Sequence, residues 1–131
     1  MCGILGYYGK TKPLIDFKQS LLKLKHRGQD GYDIKYIDND GFIKDYEENK
    51  ASKSIVGHTQ YTTSSKSNPV KQPYSSRNAF GRYSLLFNGN IPTENSESDT
   101  LMIVEFLNKN TGGFLKILDS VLNDISKNLN G

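Results

Sequence analysis

A chain of 131 residues, 24% charged and 35% hydrophobic, has the length of one domain and the polarity of a globular protein. Its net charge of +3 comes from dispersed lysines, which argues against the clustered basic face of a nucleic-acid binder. The single cysteine excludes an internal disulfide framework and a cysteine-based zinc site. No apolar run reaches the ~18 residues of a membrane span and no secretory leader is recognised, so a cytoplasmic, reducing location is expected.

Residues 3–8 (GILGYY) read as a short, mostly buried strand. Residues 11–28 read as a helix with Leu14, Phe17, Leu21 and Leu24 on one face, Pro13 in its first turn and Gly28 at its C-terminal stop. YDIKYID and GFIKDYE alternate around Asn39-Asp40-Gly41, a hairpin signal. KSIVGHTQYT reads as a strand running into a long polar loop, TTSSKSNPVKQPYSSRN. RYSLLFNGNIP reads as a strand that stops at Asn88-Gly89, with the run Tyr83 to Phe87 central in the core. The next helix opens at the capping pair Ser96 and Asp99, and the final segment is an amphipathic helix with Leu118, Val121, Leu122, Ile125 and Leu129 in its stripe. Strands and helices are segregated, so the class is α+β with antiparallel sheet.

Cys2 carries the chemistry of greatest interest. It has a bland reading, a small residue in a strand, and a sharp one. Methionine excision needs a small second residue, and its product would hold an α-amine with reference pKa near ~8 beside a thiol near ~8.5. The amine can take the thiol proton, and the thiolate can attack a carboxamide carbon. The resulting oxyanion needs donors. Asn88 offers a side-chain amide and Gly89 an unobstructed backbone N–H, although Asn-Gly is equally a turn signal. His26-Arg27-Gly28-Gln29-Asp30 is either a basic helix end or a functional cluster, and Gly57-His58-Thr59 is either a strand end or part of a site. Asp99 is either a helix cap or a ligand.

Taken in order, M-C-G-I-L-G, H-R-G-Q-D, G-H-T-x-Y-x-T, F-N-G-N and S-D-T resemble the class II glutamine amidotransferases, nearest to the amidophosphoribosyltransferase branch. The resemblance runs from residue 1 to the end of the chain. It implies the α/β/β/α sandwich of N-terminal-nucleophile hydrolases and hydrolysis of the glutamine side-chain amide to glutamate and ammonia, without cofactor or metal. It implies Cys2 as nucleophile after loss of Met1, and Asn88 and Gly89 as the oxyanion hole. It further implies Arg27 as an ordering residue behind the nucleophile, Tyr61 and Thr63 in the glutamine-binding segment, and Asp99 as partner of the substrate ammonium.

Two departures bear on that expectation. Gln60 stands where the family carries the arginine that grips the substrate carboxylate, and an amide lacks both the charge and the fork. The loss of such a contact costs ~2–4 kcal/mol. A cation from the long loop (Lys66, Lys71 or Arg77) is a candidate replacement. The family also continues beyond the point where residue 131 falls, so the expected domain, 1–131, is partial at its C-terminal side, without a synthase domain. The expectations are therefore two: a glutaminase unit, with a partner protein that completes it or accepts its ammonia, or an inactive glutaminase-like binding protein or remnant. A small α+β binding module with a chance cysteine is a third, weaker alternative.

Overall fold

The computed structural model describes residues 2–27, 30–60, 70–79, 81–89 and 99–109, together with the helical pairs 115–116, 119–120, 122–123 and 126–127. It is an α+β structure with antiparallel sheets. The elements are β1 (Gly3–Pro13), α1 (Leu14–Leu22), a 3₁₀ turn (Lys25–Arg27), β2 (Gly31–Ile37), β3 (Ile43–Asp45), β4 (Ala51–Gln60), β5 (Tyr74–Asn78), β6 (Gly81–Leu85) and α2 (Asp99–Lys109).

β1, β4, β2 and β3 form a four-stranded sheet in that order. The Gly3–Thr59 and Asp33–His58 pairs set its register. On one face, α1 lays down Leu14, Phe17 and Leu21, all buried, with Ile34, Tyr36 and Ile55 from the strands. These helix positions recur at three and four residues, so one stripe meets the sheet. The helix presses so closely that a Cβ on Gly57 would stand 2.7 Å from Leu21 Cδ2 and 2.9 Å from Phe17 Cε1.

The helix is shorter than its sequence suggests. Lys12 and Pro13 pair with Ser52 and Ala51, so β1 extends past residue 8, and Pro13 is the last strand residue rather than a first-turn one. The first helical N–H, of Leu14, is satisfied by Lys50 O at 2.9 Å. At the other end Lys23 N donates to Ser20 O and Leu24 N to Leu21 O, a tightened turn that runs into the 3₁₀ segment. Gly28 lies outside the described residues.

The β2–β3 hairpin turns where Asn39-Asp40-Gly41 predicts it. Asp38 Oδ1 accepts from Asp40 N and Phe42 N at 3.0 and 2.8 Å, and Gly41 takes φ 85°. The long polar stretch is less simple: residues 74–78 of it form β5, which pairs with β6. Asn78 Oδ1 accepts from Gly81 N at 3.2 Å across the turn.

The β5–β6 pair lies against the face of the large sheet that α1 leaves open. A groove of about 400 Å³ between them is lined by Ile37, Val56, Tyr83 and Ser84, and Arg82 stands 6.0 Å from the Phe42 ring. The hairpin's other face carries α2. Asn78 Nδ2 donates to Leu107 O, and Tyr83 OH to Asn108 Oδ1, at 3.0 and 2.8 Å. Residues 83–87 are half-buried rather than central to the core, because each hairpin strand has one neighbour and the groove stays open beside them. The described pairs between 115 and 127 are helical as the periodicity predicts. Leu122 of the expected stripe is 57% exposed, while Leu118, Val121, Ile125, Leu129 and the cap Ser96 lie outside the described residues.

Candidate functional site

The β1–β4 ladder reaches the Gly3–Thr59 pair at the beginning of β1. Continued by one residue, its register sets Cys2 opposite Gln60. Cross-strand partners share a face, so both belong to the face away from α1, with Ile4 and His58 the next pair along. Cys2 is half-buried. Its position is fixed from the neighbouring residue: Gly3 N donates to Thr59 Oγ1 at 3.0 Å, and the Thr59 hydroxyl donates to Leu24 O at 3.3 Å. Thr59 is wholly buried, and a Cβ on residue 3 would lie 2.6 Å from its Oγ1. The glycine after the cysteine is therefore a packing requirement of the strand that carries the thiol.

Gln60 is the last residue of β4, half-buried, with its carbonyl accepting from Asp30 N at 2.9 Å. Asp33 of β2, opposite His58, places Oδ2 3.5 Å from Lys71 Nζ. Lys71 thus brings a cation to the sheet face that carries Gln60. Arg77 stands farther along that face, lining a cavity with Lys35, Ile43 and Asp45. Lys35 pairs with Val56, four residues along β4 from Gln60 or roughly 13 Å. Lys66 lies outside the described residues.

His58 belongs to the G-H-T motif, but the sequence assigned it no individual role. It is 1% exposed on the same face, and neither ring nitrogen has a hydrogen bond of full geometry among the described residues. Burial holds its pKa below the ordinary imidazole range, and the nearby Phe87 backbone opposes that shift. His58 therefore marks where the segment after β6 meets the β4 face.

That segment carries Asn88 and Gly89, both exposed. Phe87 N donates to Gln72 Oε1 at 2.6 Å, and Gln72 Nε2 donates to Thr100 Oγ1 at 2.9 Å. Gln72, Thr100 and Asp99, the first residue of α2, are all buried. The Phe87 ring folds back on Gly89, where a Cβ would meet Cζ at 2.9 Å. The structure thus joins Asn88, Gly89 and Asp99 into one unit through Gln72, and brings that unit to the Cys2–Gln60 face at His58. No sequence signal distinguished Gln72 from its loop neighbours. Arg27 closes the 3₁₀ turn, whose backbone packs beside β4. Tyr61 and Thr63 lie outside the described residues.

Among the described residues no cluster of His, Cys, Asp and Glu is placed to hold a metal ion, and no helix is long and apolar enough to cross a membrane. What the site offers is a thiol, amide and backbone N–H donors, a buried carboxylate and a neutral imidazole.

Over an alignment of 139 residues the chain is 30% identical to the amidophosphoribosyltransferase of Archaeoglobus fulgidus. The match covers 83% of the chain and 30% of that protein, so the chain spans under a third of its relative's length. No family model matches the chain, and no solved structure matches it significantly.

Proposed function

We propose that residues 1–131 form a class II glutamine amidotransferase domain that hydrolyses the side-chain amide of glutamine to glutamate and ammonia. The observation that carries this reading is the placing of Cys2. Cys2 lies one residue beyond the Thr59-clamped Gly3, and the strand register continued puts it on the face where the Phe87 backbone, next in chain to Asn88-Gly89, meets His58. The similarity to an amidophosphoribosyltransferase and the order of the sequence motifs support it. The succession of α1, large sheet, β5–β6 hairpin and α2 supports a reading of the fold as the α/β/β/α sandwich of N-terminal-nucleophile hydrolases.

In the proposed reaction Met1 is removed and the new α-amine takes the Cys2 thiol proton. The thiolate adds to the glutamine carboxamide carbon, and its oxygen becomes an oxyanion held by Asn88 Nδ2 and Gly89 N–H. The C–N bond then breaks, the amine-held proton passes to the departing nitrogen as ammonia, and a thioester remains. Water adds to the thioester, and glutamate leaves with the thiol restored. Asp99 pairs with the substrate ammonium. Arg27 orders the end of the site behind the nucleophile, Tyr61 and Thr63 belong to the glutamine-binding segment, and Gln60 donates one hydrogen bond to the substrate carboxylate.

The test is intact mass after incubation with 6-diazo-5-oxo-norleucine, a glutamine-like electrophile, with Cys2→Ala as control. Loss of Met1 and stoichiometric labelling that needs Cys2 are expected. A protein that keeps Met1, or labels equally without Cys2, overturns the reading. Gln60 favours a second reading, a glutaminase-like protein that no longer binds free glutamine. It predicts Met1 removed, no labelling and no heat of glutamine binding.

A further inference from the structure

Gln72 belongs to no motif and to no strand or helix, yet it is buried and both ends of its amide are engaged. Its oxygen accepts the Phe87 N–H at 2.6 Å, and its nitrogen donates to Thr100 Oγ1 at 2.9 Å. These partners come from places far apart in sequence: the segment that leaves β6 and the first turn of α2. A planar amide with both ends bound fixes the separation and the angle between them. Phe87 passes the constraint on. Its ring tip packs over residue 89, 2.9 Å from where a Cβ would stand, and Gly89 follows it by two residues, so a Phe87 backbone held in place limits where the Gly89 N–H can go. Thr100 does the same for Asp99, its neighbour in the chain.

We infer that Gln72 is a positioning residue that locks the Asn88-Gly89 turn to the Asp99–Thr100 helix start. The inference deepens the proposed glutaminase reading and rests on it for its catalytic consequence. The oxyanion donors and the carboxylate for the substrate ammonium must face opposite ends of one glutamine molecule. A clamp between their supports holds those ends at a fixed distance, and misplacement by ~1 Å of such groups costs on the order of 100-fold in rate.

The experiment has two arms on the full chain. In the first, hydrogen exchange by NMR is followed at the Phe87 and Gly89 amides in wild type, Gln72→Ala, Gln72→Glu and Thr100→Val. Gln72→Glu keeps an acceptor for Phe87 N and offers a second to the Thr100 hydroxyl, which then donates. Phe87 exchange is expected to rise at least ~10-fold in Gln72→Ala and Thr100→Val and to stay near wild type in Gln72→Glu, with β4 amides unmoved in all. Unchanged Phe87 exchange in Gln72→Ala overturns the clamp, and so does a rise shared equally by β4, which would mean general loosening. In the second arm, kcat and KM for glutamine are measured at a temperature where every variant is folded. A fall of ~10–100-fold in kcat for Gln72→Ala, restored most of the way by Gln72→Glu, is expected. Wild-type kcat in Gln72→Ala overturns the catalytic role. Should the wild type itself fail to hydrolyse glutamine, the glutaminase reading and the catalytic role fall together, and the exchange arm still decides the clamp.

Discussion

At the scale of single residues, Gly3 and Gly6 lie on one strand and ask for opposite outcomes. A Cβ at Gly3 collides with Thr59 Oγ1 and reaches Leu24 Cβ at 3.0 Å, whereas one at Gly6 meets nothing within 4 Å. Gly3→Ala is expected to destabilise by about 1–3 kcal/mol. Gly6→Ala is expected to be neutral or stabilising by up to ~1 kcal/mol, since the chain loses unfolded-state freedom. Urea unfolding of the two variants decides this, and equal midpoints would refute it. His58 supplies a second prediction. Its folded-state pKa lies below the unfolded value near 6.5, because burial disfavours the imidazolium. Its cross-strand partners are Ile4 and Asp33, and the Asp33 carboxylate is engaged by Lys71 and by Ile34 N at 3.0 Å. The unfolded chain therefore binds the extra proton. Stability from this group is complete above about pH 6.5 and falls as pH drops toward the depressed value. The urea midpoint is expected to decline between pH 7.5 and 5.5 in the wild type, and less steeply in His58→Leu. Parallel slopes would assign the acid sensitivity elsewhere.

Among elements, α1 was legible because its burial is dictated by one stripe. Leu14, Phe17 and Leu21 recur at helical spacing and all three are buried. β5 was hidden for the converse reason. Ser75 and Ser84 face each other with their hydroxyls 2.8 Å apart, and a strand with one neighbour and an exposed face has no need of an apolar alternation. The α1–β4 contact makes a sharper prediction than either element alone. Gly57→Ala drives a methyl into Leu21 and Phe17, whereas Leu21→Ala opens a cavity at the same place. The first is expected to cost about 1–3 kcal/mol and the second about 2–5. Each change relieves the other, so the double variant should be less damaged than the sum by ~0.5–3 kcal/mol. A double-mutant cycle by chemical denaturation measures this, and strict additivity would mean that the helix moves away from Gly57 instead.

For the molecule as a whole, the core is one-sided. Six buried apolar side chains lie between α1 and the large sheet, and α2 contributes Ile103 and Val104 on the far side of the hairpin. That division explains which part of the candidate site the sequence disclosed. Cys2 and Asp99 stand at element ends, and Asn88-Gly89 lies just past β6, which stops at Leu85 rather than at Asn88, in places that local signals mark. Gln72 acts through partners 15 and 28 residues away, and the hold of Thr59 on Gly3 spans 56, which no local pattern encodes. The same division sets the dynamics. Among the described residues the hairpin–α2 unit meets the sheet through the Lys71–Asp33 pair, Arg82 over Phe42 and the Phe87 backbone at His58. Two of these three are partly solvated, so this unit is expected to open at a lower free energy than β1, β4 and β2. Hydrogen exchange in low urea would show β5, β6 and α2 amides exchanging together ahead of β4, and a single shared free energy for both groups would refute it. Cys2 and Gln60 sit on the stable body and Asn88, Gly89 and Asp99 on the labile one, so a ligand bound by both must close the opening. At ~100 times its Kd, glutamine should raise hairpin protection by up to about 2.7 kcal/mol and leave β4 protection rising no further than global stability does. Protection that rises in β4 alone would place the ligand on the sheet and take the Asn88-Gly89 turn out of the site.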